Sequence, residues 1–367
     1  MASVRDAFAI AARCSAIPKG RSLNERDGNT EMVFDGKTCR ITCGGLFATC
    51  VTDLPMESEA RHKLRFSIKN ETLHSIAQVY DMHDLTISGE FTGMHELNQI
   101  KLSSCGVNLS IPISQAWAGY SIVVDDSDYV KVSRSGLSDA FRSIPRLLQD
   151  TGEKKSMTAV RVEVRNGRLT IQSADSRLAA SIEIPCQSKN LNATLLPVAA
   201  MAIVDWVCSN ENESVCEIGM YGKEGVVVKC GNSMAMVRQV ATNFPDVSRL
   251  IKSFSGAEST TLVSLRVLEA SMASKSIGCQ SMLLKLGERG AVLSSESVDG
   301  RVRVEVGGAS GDFEIRASPE PMADIARCFI GLGFSDVQLA VSNRALLFTA
   351  SKHGVSVTSC LAPTVLK

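Results

Sequence analysis

The sequence predicts an α+β protein built from one recurring unit, a helix followed by an antiparallel meander. The first observation is internal repetition. The segment VRDAFAIAARC, then EMVFDGKTCRITCGGLFATCVTDLP, returns as LSDAFRSIPRLLQD, then AVRVEVRNGRLTIQSADSRLAASIEIP. Gly36 and Gly167 are 131 residues apart, Pro55 and Pro185 130, and Asp6 and Asp139 133. Self-similarity at a long fixed period marks a repeat architecture. A third, weaker copy reads LVSLRVLEASMASKS, then SMLLKLGERGAVLSSESVDGRVRVEVGG. The remaining observation is that the second half of each copy follows the same plan as the first.

Local patterns justify each element. Leu137, Phe141, Ile144 and Leu148 recur at helical spacing, whereas VEVRNGRLTIQS alternates around an Asn-Gly hairpin turn. Asp35-Gly36 and the segment Gly287 to Gly290 supply the turn in the other copies. Pro145 interrupts the second-copy helix, so it either kinks it or marks its true start. In the second halves, Leu73, Ile76, Ala77 and Tyr80 form a stripe, followed by DLTISGEF and NQIKLSS. Pro197 is expected to open a helix through VAAMAIVDWVCSN, ahead of CEIGMYGKEGVVVKC. Pro319 and Pro321 open another, striped by Met322, Ile325, Ala326 and Phe329, ahead of DVQLAVSNRALLFTAS. The chain thus reads as six helix-plus-meander modules paired into three domains, residues 1–130, 131–253 and 254–367.

Composition fits a protein of that kind. The 367 residues are 44% hydrophobic and 21% charged, with a formal net charge of zero. With 12 Phe, 4 Tyr and 2 Trp, the cores must rest on aliphatic side chains. No apolar run approaches the roughly 20 residues that span a bilayer, and MASVRDAFAIAARC has no sustained apolar stretch, so a cytoplasmic location is expected. The twelve cysteines include no CxxC, and the five histidines are dispersed. Cys39, Cys43 and Cys50 lie on a strand pattern without paired ligand spacing, so the thiols read as small buried hydrophobes. No metal or cofactor is expected.

Catalytic motifs fail on inspection. Asp35-Gly36-Lys37-Thr38 imitates the end of a phosphate loop, but Glu31 stands where its first glycine belongs, and a strand follows. GxSxG and HExxH are absent. Asp175, Ser176 and Arg177 have no histidine nearby in sequence, and neighbours on a strand point to opposite faces. The expectation is a protein that is not an enzyme.

Three stretches carry a family resemblance: SAD-SRLA at 173–179, NFPDVSRLI closing the second domain, and CLAPTVLK at the C-terminus. Together with the length and the threefold repeat, they resemble the bacterial DNA polymerase III β sliding clamp. The likeness covers essentially the whole chain, is best in the middle domain and is weakest over residues 20–30 and 85–130. It implies three clamp domains per chain and a head-to-tail homodimer closed into a six-domain ring. Helices would line the hole and sheets would form the outer wall. Duplex DNA would pass through, and the ring would tether DNA polymerase, a clamp loader and other proteins bearing a clamp-binding motif.

Charge distribution agrees with that implication. Residues 4–21 carry Arg5, Arg13, Lys19 and Arg21 against Asp6, residues 134–155 carry a net +2, and residues 262–275 carry Arg266 and Lys275 against Glu269. Arg142, Arg146 and Gln149 fall on the face of their helix away from the apolar stripe. With Arg134, these ten are the candidate DNA contacts; cations on a helix also face water for no other reason than solvation. Two second-half helices depart from the pattern. Val198 to Cys208 is apolar nearly all round, as if it sits deeper or meets a partner, and the helix bearing Glu320, Asp324 and Arg327 is not basic.

The resemblance also implies a cleft where partner peptides insert. The matching positions are Met157, Ala174, Asp175, Arg177, Leu178, Leu250, Lys252, Leu346, Pro363, Thr364, Val365 and Leu366. Lys252 stands where the family usually has proline, Ala174 where it has threonine, and Val365 near where methionine and arginine are common. A Gly-His spacer is shortened to Ser176. A phage or plasmid variant, or a clamp-fold scaffold that does not encircle DNA, would show the same departures. For the dimer, the strand carrying Leu109 and Ile111 and the helix carrying Leu268 and Met272 are the expected edges.

Overall fold

The computed structural model describes residues 4–14, 29–44, 48–57, 63–79, 86–91, 97–104, 107–113, 129–144, 159–174, 177–187, 189–197, 201–208, 212–252, 254, 259–287, 290–308, 313–342 and 345–363. Six modules follow one another. The first is α1 (Val4–Cys14), β1 (Asn29–Asp35), β2 (Thr38–Gly44) and β3 (Ala48–Pro55), and β4 (Leu64–Lys69) leads to the next. The second is α2 (Asn70–Val79), β5 (Thr86–Phe91), β6 (Leu97–Ser104) and β7 (Val107–Pro112), followed by β8 (Val130–Ser133). The third is α3 (Arg134–Ser143), β9 (Ala159–Arg165), β10 (Arg168–Ala174) and β11 (Leu178–Pro185), followed by β12 (Leu191–Pro197). The fourth is α4 (Met201–Cys208), β13 (Val215–Tyr221), β14 (Gly225–Cys230) and β15 (Ser233–Arg238). A short helix α5 (Val247–Lys252) and β16 (Ser259–Val263) precede the fifth: α6 (Ser264–Ser276), β17 (Met282–Gly287), β18 (Gly290–Ser297) and β19 (Gly300–Gly307), then β20 (Phe313–Ala317). The sixth is α7 (Pro319–Gly331), β21 (Asp336–Ser342), β22 (Ala345–Lys352) and β23 (Val355–Leu361). The six helix-plus-meander modules expected from the repeat are all present.

The chain divides into two compact units, Met1–Arg134 with Ala199–Gln239, and Ser135–Val198 with Val240–Lys367. The stretch 131–253 is shared between them because its strands join different sheets. In the first unit an eight-stranded sheet has the order β4-β1-β2-β3-β15-β14-β13-β8, beside a three-stranded sheet β5-β6-β7. In the second unit the eight-stranded sheet runs β12-β9-β10-β11-β23-β22-β21-β16, beside a four-stranded sheet β19-β18-β17-β20. The seams of the large sheets are equivalent. Third strand meets third strand: β3 pairs β15 through Val51 and Met234, and β11 pairs β23 through Ala180 and Ser359.

Patterning explains the layers. Val160, Val162 and Val164 are buried along β9, while the alternate Arg161, Glu163 and Arg165 are partly or fully exposed. In the first unit Phe66 stacks between Phe8 of α1, at 6.5 Å, and Phe34 of β1, at 6.1 Å. Each such buried ring contributes about 2 kcal/mol. The Asn166-Gly167 turn takes positive φ at both residues, 52° and 73°, the left-handed pair a two-residue hairpin requires.

Two expectations change at prolines. Helix α3 ends at Ser143, ahead of Pro145, because a proline displaces the residue before it from helical geometry; Leu148 lies outside the described residues. Pro197 does not open a helix. It is the last residue of β12, opposite Ala159, and β12 is an edge strand whose missing N–H costs no ladder bond. Pro319, by contrast, is the first residue of α7, after Ser318 with φ −71° and ψ 135°.

Gly225 holds the β14–β15 pair together. A Cβ there would lie 2.0 Å from the Val237 carbonyl oxygen and 2.9 Å from Arg238 Cα, so the strands would have to part. Gly225→Ala is therefore expected to cost about 2 kcal/mol, the usual scale of overpacking. Urea unfolding measures this; an unchanged midpoint would contradict it.

Candidate partner cleft, basic helices and open sheet edges

In the second unit a row of directly opposed residues, three of them small, crosses four strands on one face. Ala174 of β10 is opposite Ala179 of β11, Ala179 is opposite Cys360 of β23, and Cys360 is opposite Leu347 of β22. Together with Val247, Phe254 and Ala345 these form an apolar cluster, with Phe244, Ile251 and Ala340 half-buried against it. Three small side chains in a row keep the floor low. Burial raises the Cys360 thiol to about 11, so it stays neutral.

Helix α5 forms one wall, and its start is written in the FPD segment. Asp246 Oδ1 accepts the Arg249 backbone N–H at 3.0 Å, and Val247 N–H donates to the Pro245 carbonyl at 3.0 Å. Such a cap replaces partners the first helical N–H groups lack. Arg249 and Lys252 on α5 are exposed, as is Arg177 where β11 begins. The Arg177 carbonyl accepts the Ala362 N–H at 2.8 Å, tying the chain after β23 to this edge, and Pro363 is half-buried beyond it.

Of the residues the sequence assigned to the cleft, the structure brings Ala174, Arg177, Lys252 and Pro363 to this end of the unit. Leu178 and Leu346 are both opposite Leu361, in the adjacent row, whose side chains point to the other face. They are 4% and 0% exposed. Leu250 lies on α5 without a described side chain, and Met157, Asp175, Thr364, Val365 and Leu366 lie outside the described residues.

The candidate DNA contacts divide similarly. Arg142 is exposed in the last turn of α3, away from buried Leu137 and Phe141. Arg134, the first residue of α3, is half-buried, and its Nε is enclosed without a hydrogen-bond acceptor. Arg266 pairs with Glu269 at 2.9 Å, and Lys275 with Glu320 of α7 at 2.5 Å. Exposed pairs of this kind are worth under about 1 kcal/mol, so a phosphate can displace the carboxylate. Arg5 and Arg13 lie on α1 without described side chains; Lys19, Arg21, Arg146 and Gln149 lie outside the described residues. In apolar α4, Val204, Val207 and Cys208 are fully buried and Trp206 half-buried, so this helix is sunk against β14 and β15.

Helix α6 mixes polar and apolar residues on its buried side. Its buried side includes Ser264, Ser271 and Ser274, and it packs closely on α7. Ser271 and Ser274 satisfy their hydroxyls by donating to the Val267 and Ala270 carbonyls, each at 2.7 Å. Val267 and Ala270 are buried beside them, while three larger apolar residues turn outward: Leu265 is 55% exposed, Met272 44%, and Leu268 half-buried. The sequence reading named Leu268 and Met272 but missed Leu265, which the i, i+7 spacing to Met272 signals. On β7, Leu109 is half-buried and Ile111 fully buried. Among the described residues, β7 and β19 have no strand on their outer side.

Solved structures with this architecture are numerous. The Bacillus subtilis DNA polymerase sliding clamp superposes with a TM-score of 0.81 at 14% identity, over 99% of this chain and 98% of that one. The fold is that of a sliding clamp. The Thermotoga maritima DNA polymerase III β subunit gives 0.79 at 16% identity, covering 98% and 97%. The Helicobacter pylori β clamp bound to a DNA ligase peptide gives 0.78 at 13%, covering 99% and 98%. No family model matches the sequence, and no curated protein is similar to it at the sequence level. The sliding-clamp fold is thus retained end to end while almost seven residues in eight differ. Among the described residues, no three His, Cys, Asp or Glu side chains are grouped to hold a metal, and no helix is long and apolar enough to cross a membrane.

Proposed function

We propose that the protein is a DNA sliding clamp, a non-catalytic processivity factor that encircles duplex DNA and tethers replication and repair proteins. One observation carries this reading beyond the fold. Of the three places where a third meander strand should meet another, two are closed within the chain, at β3–β15 and β11–β23. The third pair, β7 and β19, is left open at both members among the described residues. A second copy arranged head to tail would pair its β19 with β7 of the first, and the reverse, completing six modular seams into a ring. Unpaired edges seek partners, and α6, with Leu265, Leu268 and Met272 outward, packs directly over β19. In repeat terms the domains are 1–130, 131–253 and 254–367, the middle one contributing a seam to each neighbour.

DNA passes along the helices, drawn by Arg142 and its companions and held loosely. The cleft beside Arg177 takes short peptides from polymerase, clamp loader and ligase-like partners in the cytoplasm. That use is supported by the apolar floor and by the peptide seen on the Helicobacter pylori clamp. A second reading, a clamp-fold scaffold that does not encircle DNA, draws on the carboxylates that neutralise Arg266 and Lys275. Light scattering at micromolar concentration separates the two. The clamp reading expects twice the 39.3 kDa chain mass, and a monomeric mass would sink it.

A further inference from the structure

The six modules differ in one respect that the clamp reading leaves unused. In five of them the first meander strand has a fourth strand on its outer side: β4 beside β1, β12 beside β9, β20 beside β17, β8 beside β13 and β16 beside β21. All five pairings are antiparallel. The sheet β5-β6-β7 has three strands, and among the described residues nothing pairs with β5 on that side.

In the other modules the fourth strand closes the edge of the core layer. Met32 of β1 is opposite Phe66 of β4, Val162 of β9 opposite Thr194 of β12, and Leu284 of β17 opposite Ile315 of β20. Ile218 of β13 is opposite Val130 of β8, and Leu339 of β21 opposite Thr260 of β16. The first-strand member of each pair is at most 1% exposed. On β5 the inward position falls to Ile87, which is directly opposite Leu102 of β6. Leu102 is fully buried, but Ile87 is only half-buried. The next inward residue, Gly89, has no side chain with which to cover it. The segment TISGEF also has neither lysine nor proline, two residues that commonly protect an exposed edge.

We propose that the outer edge of β5 is a docking site for an extended segment of a partner protein, added as a fourth antiparallel strand. The counterparts define the chemistry of that segment. On β8, Val130 and Val132 are buried while Lys131 and Ser133 are exposed. On β20, Ile315 and Ala317 are buried while Glu314 and Arg316 are exposed. The partner strand therefore alternates aliphatic and polar residues, with its aliphatic pair laid over Ile87 and Gly89. Main-chain hydrogen bonds to β5 supply affinity, and the alternate side chains supply selectivity. This edge is on the other side of its sheet from β7 and belongs to the first unit, whereas the peptide cleft belongs to the second. Its use does not depend on the proposed dimer or on DNA.

The probe is a synthetic peptide copying residues 128–134, DYVKVSR, which contains the strand that fills the corresponding place beside β13. Hydrogen exchange of the full-length protein is followed by mass spectrometry with and without the peptide at about 1 mM, enough to populate a weak contact. In the free protein, β5 should exchange about tenfold faster than β13 and β21, which have strands on both sides. The peptide should slow β5 about threefold or more and leave β7 and β19 unchanged. Ile87→Lys, at a half-buried position, should remove that protection without altering exchange in the rest of the free protein. A peptide carrying aspartate in place of both Val130 and Val132 should give none. Exchange of β5 as slow as β13 in the free protein would mean that this chain fills the edge itself, and would overturn the proposal. So would a lack of protection by the peptide, protection falling at β7 instead, or full protection in Ile87→Lys.

Discussion

Replacing Leu265 and Met272 together by glutamate is expected to turn the proposed dimer into a monomer. Both side chains are about half exposed in the single chain and lie two helical turns apart on the outer side of α6. The buried side of that helix is made by Ser264, Val267, Ala270, Ser271 and Ser274, so the substitutions spare it and give up only the contact of the Met272 sulfur with Arg327 of α7. Covering the two apolar surfaces is worth about 1 kcal/mol each, half of a full side-chain burial. An unpaired carboxylate enclosed in their place costs several kcal/mol more. The combined loss weakens dimerisation by about a thousandfold or more. Sedimentation of the double variant, with circular dichroism to confirm its helix content, should show one chain per particle. A dimer of unchanged strength would remove α6 from the interface.

Arg177→Ala, or truncation after Ala362, is expected to abolish binding of a polymerase-derived peptide while leaving the proposed dimer intact. The two changes act on one edge. Arg177 is exposed beside the apolar floor of Ala174, Ala179 and Cys360, and its carbonyl anchors Ala362. Removing a guanidinium anchor at a small interface typically costs about 2 kcal/mol or more, roughly thirtyfold in affinity. Fluorescence polarisation with a labelled peptide checks both variants. Wild-type affinity in both would place the peptide site elsewhere on the molecule. Lys252, exposed at the end of α5, adds a cation at the same margin, and its charge should show as salt-sensitive peptide affinity.

Much of this was legible in the residues because the repeat is written in turn chemistry and burial rhythm. Asn166-Gly167 dictates a left-handed turn wherever it falls, and the alternation in β9 and β10 fixes which side chains face inward. What local pattern cannot reveal is which distant strands meet. Nothing near Ala180 says that Ser359 will be its neighbour, yet that seam makes the middle repeat belong to both units. Pro197 misled for a related reason: a proline near a helix start resembles a proline ending an edge strand until the pairing with Ala159 is seen. Leu178 and Leu346 sat in the right stretch, but a one-residue shift in a strand reverses the face, and both are core. Arg134 likewise counted as a cation facing solvent until its Nε proved enclosed. The outward Leu265 went unnoticed because Ser264, Ser271 and Ser274 share the buried side with Val267 and Ala270, which blurs the amphipathic stripe.

The most direct test of the central claim is topological. The protein is assembled with a clamp loader on nicked circular plasmid, washed at raised salt, and the DNA is then cut once. A ring threaded by DNA stays on the closed circle, because escape requires opening, and slides off the ends after cutting. Phosphate contacts alone dissociate with salt whatever the topology of the DNA. The sliding-clamp account predicts retention on the circle and release from the linear product. Equal retention on both would contradict it.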